Sequence, residues 1–203
     1  MRPFAFSRAD SVATRILLSL VFAGTALFAL VLPVLAWLRG SALTRVVDTG
    51  LAGTVTISSA TPRPGVEVTW PGTAQVRLAD PSGGLWAWQI AAGAALTLAV
   101  GIVAVLLIAL LRRIQQDRQF STSTVLLLRL VAVTIIIGAM AVTLLDAIAT
   151  AELLGVAFDQ DSRSVSLTAV PQVVAFAIAP VIAASAEVIA RGERLSEDVK
   201  GLV

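Results

Sequence analysis

The residues with a capacity for chemistry are few and unusually placed. Arg129 and Glu187 fall inside long apolar stretches, Asp146 lies near the end of one, and Glu152, Asp159 and Asp161 share a short polar link with Arg163. A charge held in hydrocarbon is costly, so it is usually paired, turned to the interface, or functional. An Arg and a Glu can pair, and clustered acids can touch a cation. The chain contains no Cys and no His, which removes thiolate and imidazole metal sites, disulfides and His-dependent triads. It also carries no Ser nucleophile elbow, no His-Glu-x-x-His, no P-loop and no pair of acids within one apolar run. An enzyme is therefore not expected, and neither is a cofactor or a metal. Asp159-Gln160-Asp161 reads as a solvated rim in preference to a cation site.

The elements that must position these residues are four apolar runs, from Ile16 to Leu38, Leu85 to Leu111, Val125 to Ile148 and Val165 to Ala190. Each is long enough to cross a bilayer, which takes about 20 mainly apolar residues. Hydrophobic residues make up 57% of the 203-residue chain, leaving too little polar surface to coat a second, soluble domain. Mean hydropathy is +0.90. The expected fold is an all-α membrane domain over 1–203: four transmembrane helices, an outer loop over 39–84 bearing short strands, and a cytoplasmic tail over 191–203. The lipid bilayer is thus the first partner. Net charge is only +2 and the 15 basic residues are scattered at the ends of the runs, so direct nucleic-acid binding is not expected.

The first run reads as a retained anchor. Its apolar stretch of about 21 residues exceeds the 7–15 of a signal-peptide core, and Val34-Leu35-Ala36 is a poor cleavage site. Orientation follows from Arg2, Arg8 and Arg15 before the first run, Arg112, Arg113 and Arg118 after the second, and Arg191, Arg194 and Lys200 after the fourth. The positive-inside rule then makes both termini cytoplasmic, against a weak opposing vote from the four Arg residues of the long loop. Lys200 is the single lysine of the chain, and a preference for Arg with abundant Ala and Val points to a GC-rich bacterial genome, hence to the bacterial cytoplasmic membrane.

The long loop alternates apolar and polar residues at Thr54 to Ile57, Val66 to Trp70 and Gln75 to Leu78, which predicts short half-buried strands. Turn signals separate them at Pro62 to Gly65, Pro71-Gly72 and Asp80 to Gly84. So small an element must pack on the helix ends to be stable, as a structured lid or as a ligand or partner surface. Trp37, Trp86 and Trp88 fall where an interfacial aromatic belt is expected. Small residues predict helix contacts: Gly93 and Gly101 on the second span, and Ala175, Ala179 and Ala183 on the fourth. Pro171 and Pro180 are expected to kink the fourth span beside Gln172. Arg129 and Glu187 lie at similar depth in antiparallel spans, so either they pair or each snorkels to the interface. Asp146 is expected near water and near Arg163.

Beyond the fourth span, Val188, Leu195, Val199 and Leu202 fall on one face of a helix, with Gly192 as a weak point between span and tail. The tail, with Gly192, Leu195, Asp198 and Gly201-Leu202-Val203 after Ala186-Glu187-Val188, resembles the C-terminal signature of the bacterial four-span membrane family catalogued as domain of unknown function 2975. Phe120-Ser121-Thr122 followed by Val125 and Leu128-Arg129 resembles that family's entry into its third span, and the layout is similar over essentially the whole chain. Lys200 departs from the acidic or polar residue expected there.

The resemblance implies no established activity. It implies a neighbouring small helix-turn-helix regulator, and hence a non-enzymatic membrane partner or sensor that docks this cytoplasmic transcription regulator through Gly192, Glu193, Arg194, Leu195, Asp198 and the link from Arg112 to Ser123. The alternative is a small transporter, channel subunit or membrane-complex accessory, drawn from the prolines and Gln172 of the fourth span. Such a pathway would need oligomerisation, and oligomeric state is not legible in the sequence.

Overall fold

In the computed structural model the described residues are 8–48, 64, 66–69, 73–115, 122–157 and 170–200. They form α1 (Arg8–Ala26), a π-helical turn (Leu27–Val31), α2 (Leu32–Leu38), β1 (Leu43–Asp48), β2 (Val66–Thr69), β3 (Thr73–Leu78), α3 (Gly83–Gln115), α4 (Thr122–Ala157) and α5 (Val170–Lys200). Four helical stretches are long and apolar enough to span a membrane: Ser11–Leu38, Gly83–Arg113, Ser123–Ala157 and Val174–Gly192. In the first, none of the most apolar window is buried by protein, and Leu17, Leu20, Phe28, Ile137, Leu144 and Val181 are all exposed. Such surface is stable only where lipid covers it.

The first span is interrupted where Pro33 enters the first turn of α2. A proline has no N–H to give the carbonyl four residues before it, here Ala29, and its ring crowds that carbonyl. The chain widens into the π turn, where the Leu32 N–H donates to Leu27 O, five residues back. The span then ends at Gly40, whose φ of 63° lies in the left-handed region. Gly40 N–H donates to Trp37 O and Ser41 N–H to Ala36 O, each at 3.0 Å. This is the Schellman pattern, and it turns the chain directly into β1.

Two compact units divide the chain, one of residues 26–96 and 140–172 and one of residues 1–25, 97–139 and 173–203. In the first, β3 is the central strand of a three-stranded antiparallel sheet of order β1-β3-β2. Leu43 lies opposite Leu78 and Arg45 opposite Val76, while Val66 lies opposite Leu78 from the other side. Leu43, Val76 and Leu78 form a core with Leu85 and Trp86 of α3, Leu153, Leu154 and Ala157 of α4, and Ala36. Of the expected strands, that at 66 to 70 is present over its described residues, Val66–Thr69, and that at 75 to 78 within β3; β1 is an addition, and Thr54 to Ile57 lies outside the described residues. Trp86 corrects the interfacial expectation. It is a core residue, whereas Trp37 and Trp88 are exposed, because residues two apart on a helix face nearly opposite sides. α4 runs nine residues past Ile148 since its last turns, at Leu153 to Ala157, carry the sheet. In this unit Gly93 meets the π turn so closely that a Cβ there would lie 2.7 Å from the Ala29 carbonyl carbon and closer still to its oxygen.

In the second unit, Gly101 faces Phe22, with an added Cβ 3.0 Å from the ring. The small-residue face of α5 differs from the expected one: Ala179 and Ala186 are fully buried, while Ala183 is exposed. Steps of four drift about 40° per step on a helix of 3.6 residues per turn, so a seven-residue step keeps the face that repeated steps of four lose. Pro180 lies in the interior of α5, whereas Pro171 sits in the first described turn, where a missing N–H costs little.

Candidate functional site

The first unit places an arginine on the inner face of its sheet. Along β1, Leu43 is buried, Thr44 and Val46 are exposed, and Arg45 points the same way as Leu43. Only 11% of the Arg45 side chain is accessible. Its Nη1 donates to Gln89 Oε1 of α3 at 2.5 Å, and its Nη2 donates both to the Asp146 carbonyl of α4 at 3.1 Å and to the Asp146 carboxylate. The guanidinium thus ties one strand to two spans, and the planar fork is what lets a single residue do so. Thr150 Oγ1 also donates to Asp146 O at 2.8 Å, so that carbonyl accepts from two side chains. Asp146 was expected beside Arg163, which lies outside the described residues; its partner is Arg45.

The second unit brings Arg129 and Glu187 close to one another. Arg129 Nη2 of α4 stands 3.4 Å from Glu187 Oε2 of α5, and Arg191 Nε, one turn along α5, stands 3.4 Å from the other oxygen, Oε1. Glu187 therefore bridges two arginines. About half of each partner of the interhelix pair is accessible, at 59% and 49%, so the pair sits on the rim of the α4–α5 contact. In the same unit Arg113 of α3 donates to Ser123 of α4, closing the link between those spans, and Arg15 of α1 donates to Gln115 of α3 at 3.0 Å.

The residues expected to dock a partner are placed only by their backbone. Glu193, Arg194, Leu195 and Asp198 belong to α5, which passes Gly192 without a break. Their side chains, like that of Gln172, lie outside those the structure describes. Gly192, expected as a weak point, lies within the continuous helix, where a glycine costs about 1 kcal/mol relative to alanine. Chemically, the arrangement offers ion pairs and hydrogen bonds that brace helices. Among the described residues, no group of three or more acids could hold a metal ion.

Arg45 and Gln89 are the members of this set that sequence reasoning passed over. The available signal was parity, for in Leu43-Thr44-Arg45-Val46-Val47 the arginine shares a face with Leu43.

Four helices long and apolar enough to cross a bilayer, with an ion pair in each unit and a small sheet between the first two, define a multi-pass membrane protein. The chain belongs to the family described as protein of unknown function DUF2975, whose model matches residues 65–200. The match thus begins inside the loop and leaves out α1, α2 and β1, a narrower span than the whole-chain likeness expected from the sequence. No curated protein and no solved structure compared with the chain matches it.

Proposed function

We propose that this protein is a non-enzymatic membrane partner or sensor for a cytoplasmic helix-turn-helix regulator, with the end of α5 as its docking element. The observation that supports this reading best is the continuity of α5. Its apolar segment ends at Gly192, yet the helix runs on to Lys200. Those eight further residues project about 12 Å at 1.5 Å per residue. They carry Glu193, Arg194, Leu195 and Asp198, a mixed charged and apolar set of the kind that a partner's groove or helix accepts. The sheet is the element suited to receive a signal, since Arg45 connects it to α3 and α4. By the positive-inside reading, the tail lies in the cytoplasm of a bacterium and the sheet lies outside.

The test is crosslinking and pull-down of the tagged protein from its native membrane, beside a chain lacking 192–203 and a triple variant Glu193→Ala, Arg194→Ala, Asp198→Ala. Recovery of a helix-turn-helix protein with the intact tail alone supports the proposal. Equal recovery by a stably inserted triple variant overturns it. Solute or ion flux in proteoliposomes of the purified chain would instead establish the transport alternative.

A further inference from the structure

An apolar cleft of about 490 Å³ runs between α1 and α3 within the second unit, lined by Leu18, Ser19 and Phe22 from one helix and by residues from Thr97 to Ile108 of the other. Three properties of this cleft point to one occupant. The first is length. From Thr97 to Ile108 the helix rises about 16 Å, close to half of a hydrocarbon core of about 30 Å. The cleft is therefore one leaflet deep, the depth of a single acyl chain. The second is its lining, which is apolar and open to the side, with Leu98, Ile102 and Val105 exposed. A groove between helices that opens sideways at this depth is reached from lipid.

The third property lies at its mouth. Arg15, Leu18, Ser19 and Phe22 follow the i, i+3, i+4, i+7 spacing that keeps residues on one helix face, so the cleft-lining face of α1 leads directly to Arg15. On α3 the same rule carries the face from Val105 through Ile108 to Arg112, which is exposed. Arg15 spends one nitrogen on Gln115, but its Nε is buried with no hydrogen-bond partner among the described residues. The guanidinium charge at the mouth of an apolar cleft favours a neighbouring anionic oxygen. We infer that the cleft holds one acyl chain of an anionic phospholipid, whose phosphate lies beside Arg15 and Arg112 at its mouth. The apolar groove supplies affinity for the chain, and the arginines select the negative headgroup. The inference is independent of the regulator proposed above.

The experiment is native mass spectrometry of the full chain released from nanodiscs containing equal parts phosphatidylglycerol and phosphatidylcholine. The expected result is one retained phosphatidylglycerol per protein. Arg15→Gln should weaken retention by about tenfold or more, the scale of one charge-assisted hydrogen bond. Arg15→Lys should keep much of the preference for the anionic lipid. Ser19→Phe, at an exposed position on the wall, should reduce retention of both lipids by occupying the cleft. Glycerol phosphate, which has the anion and no acyl chain, should not compete. Unchanged retention in Arg15→Gln, equal retention of the two lipids by the natural chain, or full competition by glycerol phosphate would overturn the inference. Circular dichroism of each variant separates loss of the site from loss of the fold.

Discussion

Arg45 and Asp146 stand 101 residues apart in the chain and bond twice, once through the Asp146 carboxylate and once through its backbone carbonyl. The partners are unequal, because the arginine side chain is 11% accessible and the aspartate 59%. Removing the buried member takes the donor from Gln89 and from the Asp146 carboxylate and one of two side-chain donors from the Asp146 carbonyl, whereas removing the exposed carboxylate leaves the guanidinium two of its acceptors. Arg45→Ala should therefore cost about 2–3 kcal/mol and Asp146→Asn only about 1. Denaturant titration of the purified chain in micelles measures both, and the reverse order would show that the carboxylate alone carries the contact.

Gly93 makes a sharper prediction, since what it meets is backbone. Pro33 leaves the Ala29 carbonyl without its usual α-helical donor, Ala29 lies in the π turn, and Gly93 of α3 meets that carbonyl. A methyl group here cannot be relieved by turning a side chain. Gly93→Ala should destabilise by about 1–3 kcal/mol or more. Gly24→Ala, where an added Cβ meets nothing within 4 Å, should be neutral or slightly stabilising, as alanine favours helix. Equal thermal midpoints for the two variants would mean that the span and the π turn separate freely.

These two sites also show how far the sequence could be read. The four spans and two of the strands were legible, because they depend on apolar run length and on period-two alternation, both local properties. The pairing of Gly93 and Gly101 with the first span was visible in part, as small residues mark close approach. β1 was not, because its inward arginine breaks the apolar alternation that identifies a strand, and its acceptors are supplied by helices distant in the chain. The π turn escaped for a related reason. A proline inside an apolar run signals a missing hydrogen bond, but not whether the helix will bend, end or widen. At Ala183 the failure was arithmetic, since four is not the helical repeat.

Trp86 and Trp88 separate the core from the belt. Trp86 is 5% accessible beneath the sheet and Trp88 is 37% accessible. Trp86→Ala should cost about 3–5 kcal/mol, as other large core truncations do, and should release the sheet. Trp88→Ala should cost much less. Limited proteolysis of the loop provides the readout: rapid cleavage in the first variant and near-natural protection in the second is the expected pattern, and similar protection in both would place the sheet's support elsewhere.

The last prediction concerns what surrounds Arg129 and Glu187. Glu187 faces Arg129 across the helix contact and Arg191 one turn along its own helix, so Glu187→Lys gathers three positive charges and should destabilise the α4–α5 contact. Adding Arg129→Glu restores an opposite pair and should recover part of the loss. The size of that recovery reports the medium. Exposed pairs in water couple by no more than about 1 kcal/mol, and salt screens them. In hydrocarbon the unpaired alternative is far costlier, so the coupling should exceed about 2 kcal/mol and resist salt. A double-mutant cycle at low and high ionic strength distinguishes the two. Arg129 has four apolar residues, Val125 to Leu128, before it in the span and a longer apolar run after it, so the larger, salt-resistant value is expected. A small coupling abolished by salt would instead place both side chains at the headgroups, leaving the buried Ala179 and Ala186 face to hold α5 in the unit.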